Sequence, residues 1–95
     1  MTPNGNVTDE QIRMAIKRLI ARITEREPEE IPDQASLTEE LGVDSLMAME
    51  VMVAVDKEFH IDIPEEEFNA IGNVDEAVAV VKKHLPTGGV AIASV

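Results

Sequence analysis

The 95-residue chain contains no cysteine, so neither a disulfide framework nor a thiolate metal site can be built from it. That absence fits a reducing compartment, and the cytoplasm is the expected location. No apolar run is long enough to span a bilayer, and the start MTPNGNVTDE lacks the basic residues and apolar stretch of a secretory signal. Histidine is scarce: His60 and His84 are the only two. The nucleophile elbow G-x-S-x-G is missing, as is the D-x-[DN]-x-[DN]-G calcium loop. Self-contained hydrolytic catalysis and a dedicated metal site are therefore not expected. Glu65, Glu66 and Glu67 are consecutive, and helical geometry points them in different directions rather than at one ion.

Positive charge is also in short supply, with eight Lys and Arg against nineteen Asp and Glu and a net charge of −11. The imbalance is local. Residues 1–26 carry Arg13, Lys17, Arg18, Arg22 and Arg26 against three acids, whereas residues 27–76 carry sixteen acids and one base, Lys57. Such a surface repels phosphate backbones and anionic headgroups, so nucleic acid and membranes are not expected as partners. Basic patches on other proteins are. Composition alone leaves open a second explanation, that the charge only keeps a small domain soluble.

What is present reads as helices separated by punctuated loops. Thr8 and Gln11 have capping-box spacing, Val7 can staple against Ile12, and Ile12, Ile16, Leu19, Ile20 and Ile23 form one helical stripe. Pro28 is expected to mark the end of that helix, and Pro28 and Pro32 to keep the following connection irregular. Ser36 and Glu39 offer a capping pair for a single turn bearing Leu37 and Leu41, before Gly42 lets the chain bend. From Ser45 to about Phe59 neither Gly nor Pro interrupts. Leu46, Met49 and Val53 fall on one stripe and Ala48, Met52, Val55 and Phe59 on its neighbour, a wide apolar arc for one core-facing surface. Either that helix is central or part of its arc is displayed to a partner. Pro64 opens a short helix presenting Phe68 and Ile71. Asn73 and Glu76 cap a last one with Val74, Ala77, Val78, Val81 and Leu85 on its buried face.

The expected fold is all-α: a small antiparallel four-helix bundle of three main helices and one short one over residues 8–85. Residues 1–7 are expected to be a flexible arm, and residues 86–95 a flexible tail.

The stretch GVDSLMAME, residues 42–50, poses the functional question. Ser45 could be a nucleophile, part of a helix cap with Asp44, or an attachment point. A nucleophile needs a general base in reach, usually a histidine; the only two are His60 and His84, each expected to be an ordinary surface residue, and nothing near His84 suggests catalysis. Asp and Ser both serve well as caps, but a cap explains neither the wide apolar arc that follows nor the acids around it.

The segment LGVDSLMAMEVMVAVDKEFHIDIPEEEF closely resembles the phosphopantetheine-attachment region of acyl carrier proteins. The D-S-L signature stands at Asp44, Ser45 and Leu46, the preceding Leu-Gly pair at Leu41 and Gly42, the helix glutamate at Glu50, and a later element at Glu58, Phe59, Ile63 and Pro64. With helix spacing on both sides, the resemblance covers residues 8–85, and the bundle it implies is acyl-carrier-protein-like. It implies that a phosphopantetheinyl transferase moves 4′-phosphopantetheine from coenzyme A onto Ser45. The arm then carries acyl thioesters for fatty-acid or polyketide biosynthesis, and the monomeric chain is a non-catalytic substrate of its partners. Those partners would be ketosynthase, acyltransferase or acyl-ligase type enzymes with basic patches. The implied partner face is Asp44, Leu46, Met47, Met49, Glu50, Val53, Asp56, Lys57 and Ile63. The implied acyl pocket is Leu37, Val55, Phe68, Ile71 and Ala77. Three positions depart from the family pattern: Met47 and Lys57 stand where acids are usual, and Phe68 where many relatives have a small residue. Two other readings are an aminoacyl (peptidyl or D-alanyl) carrier and an unmodified acidic interaction module.

Overall fold

A computed structural model describes residues 8–85 as four helices with no strand. The terminal segments expected to be flexible, residues 1–7 and 86–95, lie outside the described residues. Helix α1 spans Asp9–Thr24. Thr8 caps it by accepting the Gln11 N–H (3.1 Å), and the Gln11 side chain accepts the Thr8 N–H in return (2.9 Å). Its end comes earlier than Pro28. Glu25 turns left-handed at φ 60°, its N–H reaching the Arg22 carbonyl and the Arg26 N–H the Ala21 carbonyl. This pair of bonds is a Schellman turn, so backbone geometry stops the helix before proline can.

The connection that follows is less irregular than its prolines imply. Pro28 sits at the first position of a 3-10 turn, Pro28–Glu30, where its missing N–H costs nothing. Ile31 and Ala35 from this connection are fully in the core. At the next turn the Ser36 hydroxyl accepts the Glu39 N–H (3.1 Å) as expected, but the carboxylate that returns to the Ser36 N–H is that of Glu40 (3.3 Å).

Helix α2 spans Ser45–Phe59, α3 Glu65–Asn69 and α4 Val74–His84. Asn73 caps α4 by accepting the Glu76 N–H (2.8 Å), and the Glu76 carboxylate accepts from Gly72 (2.7 Å). Helix α1 is the central wall, packing against both α2 and α4. Ile12, Ile16 and Ile20 on its inner face join Val51, Val55, Val74, Val78 and Val81 in one continuous core. No polar or charged side chain among the described residues is buried. Charge closes the outside of this seam: Arg13 pairs with Asp33 and Asp75, and Lys17 lies 2.6 Å from Asp33. The Lys17 ammonium holds the Asp33 carboxyl below the usual carboxylate range.

Helix α2 ends as α1 does, with His60 left-handed at φ 57° and the Ile61 N–H on the Asp56 carbonyl. Both termini place a side chain where glycine is favoured, at a cost of about 1 kcal/mol each. Glu25→Gly and His60→Gly are therefore each expected to raise the melting temperature by a few degrees, read by circular dichroism. A fall in both would mean that the side chains contribute more than the strained backbone costs.

Candidate functional site

The bend before α2 is built from the backbone outward. Gly42 takes φ 71°, a left-handed conformation that favours glycine. Leu41 and Val43 on either side are buried and anchor it. The Val43 N–H donates to the Leu37 carbonyl (2.8 Å), and the Leu37 N–H donates to the Gly72 carbonyl (3.0 Å). The turn is thereby fixed to the segment just before α4. Asp44 then caps α2, its carboxylate accepting the Met47 N–H at 2.9 Å and its carbonyl the Ala48 N–H at 2.8 Å.

Ser45 is the first residue of α2 and is exposed. The cap is Asp44, so the Ser45 hydroxyl is not needed for it, and that hydroxyl makes no hydrogen bond among the described residues. A cavity of about 620 Å³ opens beside it. All five residues expected to line an acyl pocket, Leu37, Val55, Phe68, Ile71 and Ala77, do line this cavity. The structure adds Ile16 and Ile20 from α1, Met52 from α2 and Val81 from α4. These were visible in the sequence as core stripes, but nothing in a stripe says that a void lies against it. Exposed polar residues lining the same cavity include Thr38, Asp44, Ser45, Glu65 and Asn69.

The expected partner face divides in two. Leu46, Met49 and Val53 are 67%, 54% and 53% exposed, which answers the question of the wide arc: part of it is displayed. Asp44, Glu50 and Lys57 are exposed around them. Three other members are turned inward. Met47 is half-buried against the core, because it shares the face of Val51 and Val55 at four-residue spacing. Asp56 is half-buried and accepts the Ile63 N–H on its carboxylate (3.2 Å), so it helps terminate α2. Ile63 is only 4% exposed and lines the cavity, so it offers nothing to a partner at the surface.

Helix α3 carries Phe68 to the cavity and is tied from behind. Glu67 accepts from His84 (2.7 Å) and Lys83 (3.2 Å) at the end of α4. These contacts, that of His84 foremost, lower the Glu67 pKa. No group of three His, Asp or Glu side chains among the described residues converges as a metal site. Among the same residues, no helix is long and apolar enough to cross a membrane.

Comparison with known proteins gives a consistent picture. Residues 15–81 match the family model described as the phosphopantetheine attachment site. Acyl carrier proteins from two strains of Rickettsia bellii are 36% identical over 75 residues, 79% of this chain and 87% or 93% of theirs. That of Zymomonas mobilis is 33% identical over 69 residues, 73% of this chain and 88% of the relative. Among solved structures, the acyl carrier protein from Enterococcus faecalis aligns with a TM-score of 0.70 at 24% identity, covering 82% of this chain and 99% of that one. The apo doublet acyl carrier protein from prodigiosin biosynthesis aligns with a TM-score of 0.72 at 20% identity, covering 90% of this chain and 42% of the doublet. At such identities the structural likeness speaks for the fold.

Proposed function

The chain belongs to the acyl carrier protein family, and from that premise we propose that Ser45 is its attachment point and that its cargo is an apolar acyl chain. As a family member it is a non-catalytic carrier with 4′-phosphopantetheine as prosthetic group, and its partners include a phosphopantetheinyl transferase and biosynthetic enzymes. The group supplies a terminal thiol, which a chain without cysteine lacks, to hold acyl groups as thioesters. The single observation behind the assignment is an exposed Ser45, relieved of capping by Asp44, beside a largely apolar cavity. The residues fit the group. Amides at the start of α2 favour the charge of a phosphodiester, and the rigid turn at Gly42–Asp44 holds the serine outward.

The character of the cavity favours fatty-acyl cargo over aminoacyl cargo. Its polar lining residues are exposed and every buried one is apolar, so an ammonium or amide drawn in among the buried residues would lack a hydrogen-bond partner there, at a cost of several kcal/mol. A hydrocarbon chain carries no such cost. Leu46, Met49 and Val53, ringed by Asp44 and Glu50, form the face we assign to ketosynthase, acyltransferase or acyl-ligase type enzymes with basic patches. Lys57 on the same helix is a reversed charge that disfavours some of these partners. Incubation with coenzyme A and a broad-specificity transferase, followed by fragment mass analysis, tests the attachment. Modification at Ser36 or Ser94 in place of Ser45 would overturn it.

Phe68 is the specificity element within this reading. It is partly buried and stands in the cavity wall. Phe68→Ala is expected to shield longer acyl chains from hydrolysis, at a stability cost of about 1–2 kcal/mol for a partly buried ring. Unchanged hydrolysis rates for long thioesters in that variant would remove Phe68 from the pocket's length control.

A further inference from the structure

The outer face of α1 has the opposite sign to the rest of the molecule. All four arginines of the chain lie between positions 13 and 26; elsewhere the bases are lysines. Arg13 is engaged with Asp33 and Asp75. Arg18, Arg22 and Arg26 are exposed and form no ion pair with the acids of the described residues. Arg18 and Arg22 are one turn apart on one face, and Arg26 follows in the turn that ends the helix. Met14, 43% exposed, extends the same row one turn back. Glu25 is the only acid between positions 14 and 26; Glu10 and Glu27 flank the two ends, and the three arginines leave the row between them positive. Complementing the helix dipole explains Arg22, in the last turn, but not Arg18, which lies further in, because that effect fades within one turn.

We propose that Met14, Arg18, Arg22 and Arg26 form a second docking surface, for an acidic protein segment that presents carboxylates one helical turn apart and an apolar side chain to Met14. Guanidinium groups match carboxylates with two parallel hydrogen bonds. The row is roughly 18 Å long at the helical rise, the scale of a short helix. Size also argues against polyanions. A nucleic acid or anionic bilayer extends well past the row and meets the sixteen acids of residues 27–76. A compact acidic segment centred on Arg18 and Arg22 meets mainly the row and only at its ends Glu10 and Glu27, because more distant charges are screened beyond about 8 Å at physiological salt. Since this surface is not on α2, a partner here need not compete with an enzyme at Ser45.

The test uses the full chain and a 20-residue helical peptide with glutamate at every fourth position and one leucine, followed by NMR titration. Shift changes are expected at residues 14–26, and Arg18→Gln/Arg22→Gln/Arg26→Gln should weaken binding about tenfold, which is about 1.4 kcal/mol shared among three exposed pairs. The same variant should accept phosphopantetheine at the wild-type rate, so that failure here is separable from failure of the Ser45 assignment. Equal peptide affinity for wild type and variant would overturn the proposal, as would shifts mapping elsewhere. Tighter binding of a single-stranded oligonucleotide or of phosphatidylglycerol vesicles than of the peptide would overturn it too.

Discussion

Ser45→Ala is expected to take up no phosphopantetheine at all while keeping its helical circular dichroism spectrum. The substitution removes the only hydroxyl at the start of α2 but leaves the cap intact, since the Met47 N–H bonds to Asp44. The stability loss should therefore fall below the roughly 1 kcal/mol typical of losing a capping side chain. Asp44→Ala is the informative opposite: it should lose about that amount of stability yet keep the acceptor hydroxyl. Intact mass after incubation with coenzyme A and transferase reads the first effect, and thermal melts read the second. A mass gain in Ser45→Ala would move the attachment elsewhere. A large loss of stability in the same variant would mean that Ser45 is structural.

Ile16→Ala is expected to bring the melting temperature down by roughly 10–30 °C. Ile16 is fully buried in the middle of α1, the helix on which both α2 and α4 pack. Truncating such a residue to alanine costs about 2–5 kcal/mol, set against a total of about 5–15 kcal/mol for a small domain. Each kcal/mol shifts the melting temperature of a domain this size by about 4–8 °C. Ile16 also lines the cavity, so the new void adds to an existing one and cannot be closed by a simple inward shift of α2. Ile16→Val should cost only about 0.5–1.5 kcal/mol. If the alanine variant melted no lower than the valine variant, α1 would not be the wall that holds the bundle together.

Met47 and Ile63 show what a one-dimensional reading of α2 and its neighbours misses. The family resemblance implies that both belong to the partner surface, and in the structure both turn inward. For Met47 the signal was present, since it lies four residues before Val51 and eight before Val55, but the whole helix is so apolar that no single inner face stands out. For Ile63 no local signal exists. Its burial depends on an extended segment being drawn across the cavity, with its N–H on the Asp56 carboxylate. Ile31 and Ala35 are similar: residues of a proline-marked connection, buried because that connection folds back over the core.

The sequence by itself determined what depends on neighbours along the chain. Caps at Thr8, Asp44 and Asn73, the bend at Gly42, the helical stripes and the D-S-L signature are all local, because hydrogen bonds between residues three or four apart and backbone sterics do not need the rest of the molecule. Tertiary structure alone decided which part of the α2 arc is covered. It also decided that Glu67 ties α3 to the end of α4 and that a cavity opens beside Ser45. A void is the space left over when four helices and the segments that connect them meet. Its size follows from how side chains distant in sequence fill the gap between them, and no periodicity along one chain encodes that.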